Sequence, residues 1–136
     1  MDIYYAKKLL DIYIENVRNI LCAGFGVNHA ETALFDVIRF LREEPLLKQY
    51  FLKRVESTFS MPDVGSLEVG MVPGDLIELV AHELRWPEFL ELAKNRVKIF
   101  FHGDITLAAG DVSSSIRNAY SNEWADREFY LHYMQD

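Results

Sequence analysis

From Ile3 to Leu21 the apolar residues recur at Ile3, Ala6, Leu10, Tyr13, Ile14, Val17, Ile20 and Leu21, with charged residues on the opposite side. That spacing is the period of an α-helix with one buried stripe. It predicts a first helix of about five turns at 3.6 residues each. Leu9 and Ile12 widen its apolar arc, so contact with more than one neighbour is expected. Ala23-Gly24-Phe25-Gly26 ends it, because glycine is favoured just past a helix terminus.

The same period returns along the chain. Asn28, with Glu31 three residues on, reads as the cap of a second helix through Ala33, Leu34, Val37, Ile38 and Leu41. Arg39 and Arg42 fall near its end, where the helix dipole favours cations. Pro45 suits the first position of a third helix, which runs to about Phe59 through Leu46, Leu47, Tyr50, Phe51 and Val55. Residues 60–74, SMPDVGSLEVGMVPG, break every helical period. A brief strand over Ser66 to Met71 fits this segment, but a lone strand has nothing certain to pair with.

Asp75 then reads as the cap of a helix over Leu76 to Trp86. Pro87 restarts the chain into another, Glu88 to about Phe101, and Gly103 follows as a stop. A further helix begins near Val112 or Ser113 and carries Ile116, Ala119 and Tyr120, with serine as a preferred start residue. A last one covers roughly Ala125 to Met134. No repeat, low-complexity tract or long linker divides the chain. The expectation is one all-α domain over residues 1–136, a compact bundle of about seven helices.

Composition adds bounds to this picture. The chain has 136 residues, half of them hydrophobic, which suits one domain large enough to hold a core without metal or disulfide. Cys22 is the sole cysteine and stands in an apolar run, so a buried thiol in a reducing compartment is expected. Lys7, Lys8, Asp11, Glu15 and Arg18 interrupt the first helix, which excludes it as a signal peptide or a membrane span. A cytoplasmic, monomeric protein is the simplest expectation. The net charge of −7 argues against nucleic acid as a ligand, since phosphate binding rests on cations. An acidic surface instead steers basic partners inward.

Candidate chemistry is thin. "AHELRW" opens like a zinc-protease motif, but the second histidine, due four residues after His82, is replaced by Trp86. Glu78 with His82, and Glu128 with His132, are spaced as helical side-chain pairs rather than as a di-iron set. Ser113, Ser114 and Ser115 lack a nucleophile elbow, and Gly103 to Gly110 lacks the ending of a phosphate loop. Cys22 has no activating partner in sequence. No catalytic set, cofactor or metal is expected.

Charge is the more informative signal. Between Asp63 and Glu91 seven acids oppose Arg85 alone, and Lys94, Arg96 and Lys98 then reverse the sign. Helix dipoles account for part of this, with acids at helix starts and cations at a helix end. The tail repeats the acidic theme with Glu123, Asp126, Glu128 and Asp136 against Arg127. There Trp124, Phe129, Tyr130 and Tyr133 cannot share one narrow helix face. Some of these aromatics are expected to close the core and others to look outward, where Tyr and Trp serve interfaces.

Two stretches, "HELRWPEFLELA" at 82–93 and "IRNAYSNEWADREFYLHY" at 116–133, resemble segments of small helical bacterial proteins. Immunity proteins of contact-dependent growth inhibition systems are among these. The resemblance rests on helix-packing patterns in the last part of the chain, and it supplies no functional positions to carry over. It implies an antidote that binds a cognate toxin domain, often a nuclease, and blocks its active site without chemistry of its own. The expected contact residues are Glu78, Glu83, Glu88, Glu91, Glu123, Asp126 and Glu128, with Trp124 or Tyr130 as anchors. Two other classes stay open: a helical metal-binding protein or enzyme built on the Glu and His pairs, and a helical adaptor subunit.

Overall fold

The computed structural model describes residues 1–121. Six α-helices follow one another among them: α1 (Ile3–Cys22), α2 (Val27–Glu43), α3 (Lys48–Phe59), α4 (Gly74–Leu84), α5 (Glu88–Phe101) and α6 (Val112–Ser121). Short 3₁₀ turns over Pro45–Leu47 and Val64–Ser66 precede α3 and α4. The fold is all-α, with no strand among the described residues. The expected final helix, Ala125 to Met134, lies outside the described residues.

The buried stripe of α1 is Ala6, Leu10, Ile14 and Val17, and it lies against α2. Ile12 is exposed, so this helix buries a narrower arc than its composition suggests. Cys22 is also exposed, contrary to the expectation of a buried thiol. It stands one residue beyond Leu21, about 100° off the stripe at the helical period, where no neighbour among the described residues covers it.

α4 is the central helix, packed on α2 and on α6. Its Leu76, Ile77, Leu79, Val80 and Ala81 are all fully buried, the pattern of a helix enclosed on most sides. α5 joins α3 to α6 and buries Phe89, Ala93 and Val97.

Several helix starts differ from their expected caps. α2 starts from Gly26, whose carbonyl accepts the amides of His29 and Ala30, and glycine has no side chain to cap with. Asn28 is therefore inside the first turn. α4 starts after Pro73, whose carbonyl accepts the amides of Leu76 and Ile77, so Asp75 is a first-turn acid and not the cap. α6 is capped by Asp111, which accepts the Ser113 amide at 3.0 Å, rather than by a serine.

Residues 60–73 fold back without a strand. The Val72 amide donates to the buried Thr58 hydroxyl at 2.9 Å, and the Gly65 amide donates to the Asp63 carboxylate at 3.0 Å. A side chain and a turn thus take the backbone bonds that a partner strand would otherwise supply.

α5 ends with His102 in the left-handed region at φ 55°, and Gly103 follows at φ 79°. The Gly103 amide reaches back to the Val97 carbonyl at 3.1 Å and closes the last turn. A residue with a Cβ pays to sit there. We expect His102→Gly to raise stability by about 0.5–1 kcal/mol, the relief of left-handed strain exceeding the added chain entropy. Urea unfolding measures it, and a destabilised variant would refute the account.

Candidate functional site

The acids expected to form one binding surface are dispersed. Glu83, in the last turn of α4, is ion-paired with Arg42 of α2 at 2.9 Å. Glu88 pairs with Lys48 at 2.9 Å, and Glu91 approaches Lys94 at 3.9 Å. Glu88 and Glu91 line a shallow depression between α3 and α5 together with Glu56 and Lys53. Glu78 faces a different place. Glu123, Trp124, Asp126, Glu128, Tyr130 and His132 lie outside the described residues.

Glu78 lines an open hollow of about 610 Å³ where α2, α4 and α6 begin. Asp63, Asp75 and Asp111 join it there, and among the described residues no Lys, Arg or His contributes to the lining. Leu21, Phe25, Val64, Leu67 and Val112 supply apolar wall. The convergence of three helix starts explains how carboxylates gather in one place. Each start carries a partial positive charge, and neither Gly26 nor Pro73 offers a side-chain cap to consume it.

The acids differ in what holds them. Asp75 is solvent-exposed, yet it lies in a concavity crowded enough that desolvation pushes its carboxyl above the usual range. Asp63 is occupied in capping the Val64–Ser66 turn. Burial alone would push the Asp111 carboxyl up, but hydrogen bonds from Arg96 and Ser113 together outweigh it and hold that carboxyl low.

Arg96 is the largest feature that the chain pattern concealed. The sequence reads it as one of three cations near a helix end, with no sign of burial, but it is only 2% exposed. Its Nε and Nη2 grip the Asp111 carboxylate at 2.8 and 2.9 Å. Its Nη1 donates to the Phe59 and Met61 carbonyls at 2.9 and 2.7 Å, and Nη2 also donates to the Pro62 carbonyl at 3.0 Å. Its guanidinium carbon stands 4.9 Å from the centre of the Phe100 ring. Arg96 therefore ties the turn after α3 to the start of α6 and holds two walls of the hollow, Pro62 and Asp111, from beneath. A planar five-donor fork suits this role, and an ammonium could not satisfy the same set.

The hollow's acids had a faint signature in the sequence. Gly74-Asp75 and Gly110-Asp111 are Gly-Asp pairs at helix starts, but nothing in their spacing along the chain brings them to one hollow.

Other chemistry is sparse. Among the described residues no group of three His, Cys, Asp or Glu side chains is placed to hold a metal ion. No helix among them is long and apolar enough to cross a membrane. Tyr120 donates its hydroxyl to the Trp86 carbonyl, and burial pushes its pKa up to about 12, which suits a structural phenol. No protein-family model, curated protein or solved structure matches this chain.

Proposed function

We propose that this chain is a non-enzymatic inhibitor, a monomeric immunity protein that acts in the cytoplasm by binding a cognate toxin domain. The toxin's surface is basic, as that of a nuclease must be to hold phosphates, and the inhibitor covers its active-site cleft. The observation that carries this reading is the hollow at the starts of α2, α4 and α6, where four carboxylates meet and no cation among the described residues contributes to the lining. The net charge of −7 extends the attraction beyond contact distance and speeds encounter with a basic partner. The resemblance of residues 82–93 and 116–133 to immunity proteins points the same way.

The test is protection. The variable C-terminal domain of a secreted effector encoded beside this chain is expressed in susceptible cells, with and without this chain. Growth rescue and a complex on size-exclusion chromatography are expected. Combined charge reversal at Glu78, Glu83, Glu88, Glu91, Glu123, Asp126 and Glu128 is expected to slow association by about tenfold or more and to weaken its dependence on salt. Absence of both rescue and complex defeats the proposal; unchanged association after reversal defeats its electrostatic part.

A further inference from the structure

The reading above leaves open which element enters the partner's cleft. The connection between α3 and α4 runs through residues 60–73 with one 3₁₀ turn in it, and connections of that length commonly carry function. Its apex is a tight turn over Glu68–Met71, closed by the Met71 amide donating to the Glu68 carbonyl at 3.1 Å. Gly70 takes a positive φ of 90° at the third position of this turn, where glycine is favoured. Val69 stands beside it at 83% exposure, the most open of the large apolar side chains among the described residues. Glu68 is exposed too, and no cation among the described residues is ion-paired with it.

An exposed valine on a flexible loop would mean little, since single apolar residues are common on surfaces. This turn is braced. Arg18 of α1 donates through Nη1 to the Leu67 carbonyl at 3.3 Å, and Arg54 of α3 donates through Nη2 to the Gly70 carbonyl at 3.1 Å. Each brace is itself held from α1: Arg18 bonds Glu15 at 2.9 Å, and Arg54 bonds Asp11 at 3.0 Å, which also accepts the Tyr50 hydroxyl. Arg96 secures the start of the same connection through the Met61 and Pro62 carbonyls. Leu67 is kept at φ 54°, a left-handed conformation that side chains with a Cβ disfavour. Guanidinium groups from three helices thus hold the connection by its backbone, and the two side chains at its apex stay open to solvent. A surface fixed before the partner arrives loses less entropy on binding.

We infer that the Glu68–Met71 turn is the plug that this chain inserts into the cleft of a basic protein. Val69 fills an apolar pocket in the cleft wall, its β-branched side chain bringing little rotamer freedom to lose. Glu68 meets a lysine or arginine at the pocket's rim. An acidic partner is disfavoured by that same carboxylate and by the net charge of −7. This inference rests on the reading of the chain as an inhibitor of a basic protein.

The test uses the full chain and the effector domain encoded beside it. Val69→Asn is expected to weaken the complex by about tenfold or more, since an amide left unpaired in an apolar pocket is costly. Glu68→Gln is expected to slow association by about threefold or more and to flatten its salt dependence. Ile99→Asn, a change at another exposed apolar position, on α5, leaves the affinity unchanged. All three side chains are exposed, and circular dichroism verifies that each variant folds. Nitrogen-15 relaxation of the free chain is expected to give Val69 and Gly70 order parameters of about 0.85, the value of rigid backbone. Values below about 0.6 overturn the inference, because the plug would then not be preformed. A wild-type complex that neither Val69→Asn nor Glu68→Gln weakens also overturns it and leaves the wider reading standing. Absence of any complex with the wild-type chain defeats both.

Discussion

Replacing Arg96 with methionine is expected to lower stability by about 3–5 kcal/mol, the usual result of removing one partner from a buried ion pair. For a chain of this size that is a fall in Tm of roughly 10–15 °C. The loss has two parts. The Asp111 carboxylate is left in a half-buried site without its cation, and the carbonyls of Phe59, Met61 and Pro62 lose a charged donor. Arg96→Lys recovers little, since a single ammonium cannot span a carboxylate and three carbonyls. Guanidinium unfolding of both variants measures this, and a loss below about 1 kcal/mol from methionine would show that the pair is replaceable by packing.

The pair also has a pH signature. The folded Asp111 carboxyl titrates below its ordinary value of 3.8, so its contribution is fully present above that value. It drains away as the pH falls through the lower folded value. Without Arg96 the acid has no such advantage, so the gap between wild type and Arg96→Met is expected to narrow in acid. A gap that stays constant down to the acid transition would locate the loss in the carbonyl contacts instead.

Phe89→Ala is expected to cost about 3–5 kcal/mol, as truncation of a buried aromatic leaves a cavity that its surroundings fill only partly. Phe89 is wholly buried in the first turn of α5, and its ring lies parallel to that of Trp86 with centroids 5.8 Å apart. Trp86 in turn meets Phe51 of α3 edge-on at 6.3 Å. The three rings pin α3 to the corner between α4 and α5. Thermal unfolding gives the magnitude, and near-ultraviolet circular dichroism reports the freed indole. A loss under about 1.5 kcal/mol would mean that the corner collapses around the gap and that the ring stack is not what holds it.

Most of the helices were legible because each carries its own evidence in local spacing. The buried stripes of α1 and α2, the proline before α3, the proline before α5 and the glycine after it can all be read within a window of a few turns. The caps were less legible. Whether Asn28 or Gly26 starts α2 depends on which carbonyl accepts the first amides, a difference of two residues that residue preference alone does not resolve.

The candidate site was legible as chemistry but not as place. A surplus of carboxylate from Asp63 to Glu91 is visible in the chain, and so is the lack of catalytic spacing. Glu78, Glu83, Glu88 and Glu91 look like one acidic run in sequence. The helical rotation of α4 and the turn at Arg85 to Pro87 send Glu78 to the hollow, Glu83 toward Arg42, and Glu88 and Glu91 to the depression beside α3.

By itself, then, the sequence determined the helical class, the order of α1 to α6 and the acidic balance, because periodicity, chain breakers and charge are properties of neighbouring residues. Only the tertiary structure decided that Arg96 is buried, that Cys22 and Ile12 are exposed, and that Asp63, Asp75, Glu78 and Asp111 surround one hollow. Those facts depend on residues far apart in the chain being brought within a few ångströms. Arg96 lies within α5 and Asp111 caps α6, and the carbonyls that complete their site come from the end of α3 and the turn after it, more than thirty residues before Arg96. No local pattern encodes that meeting, because burial of a charge is settled by the partners waiting for it and not by the charge.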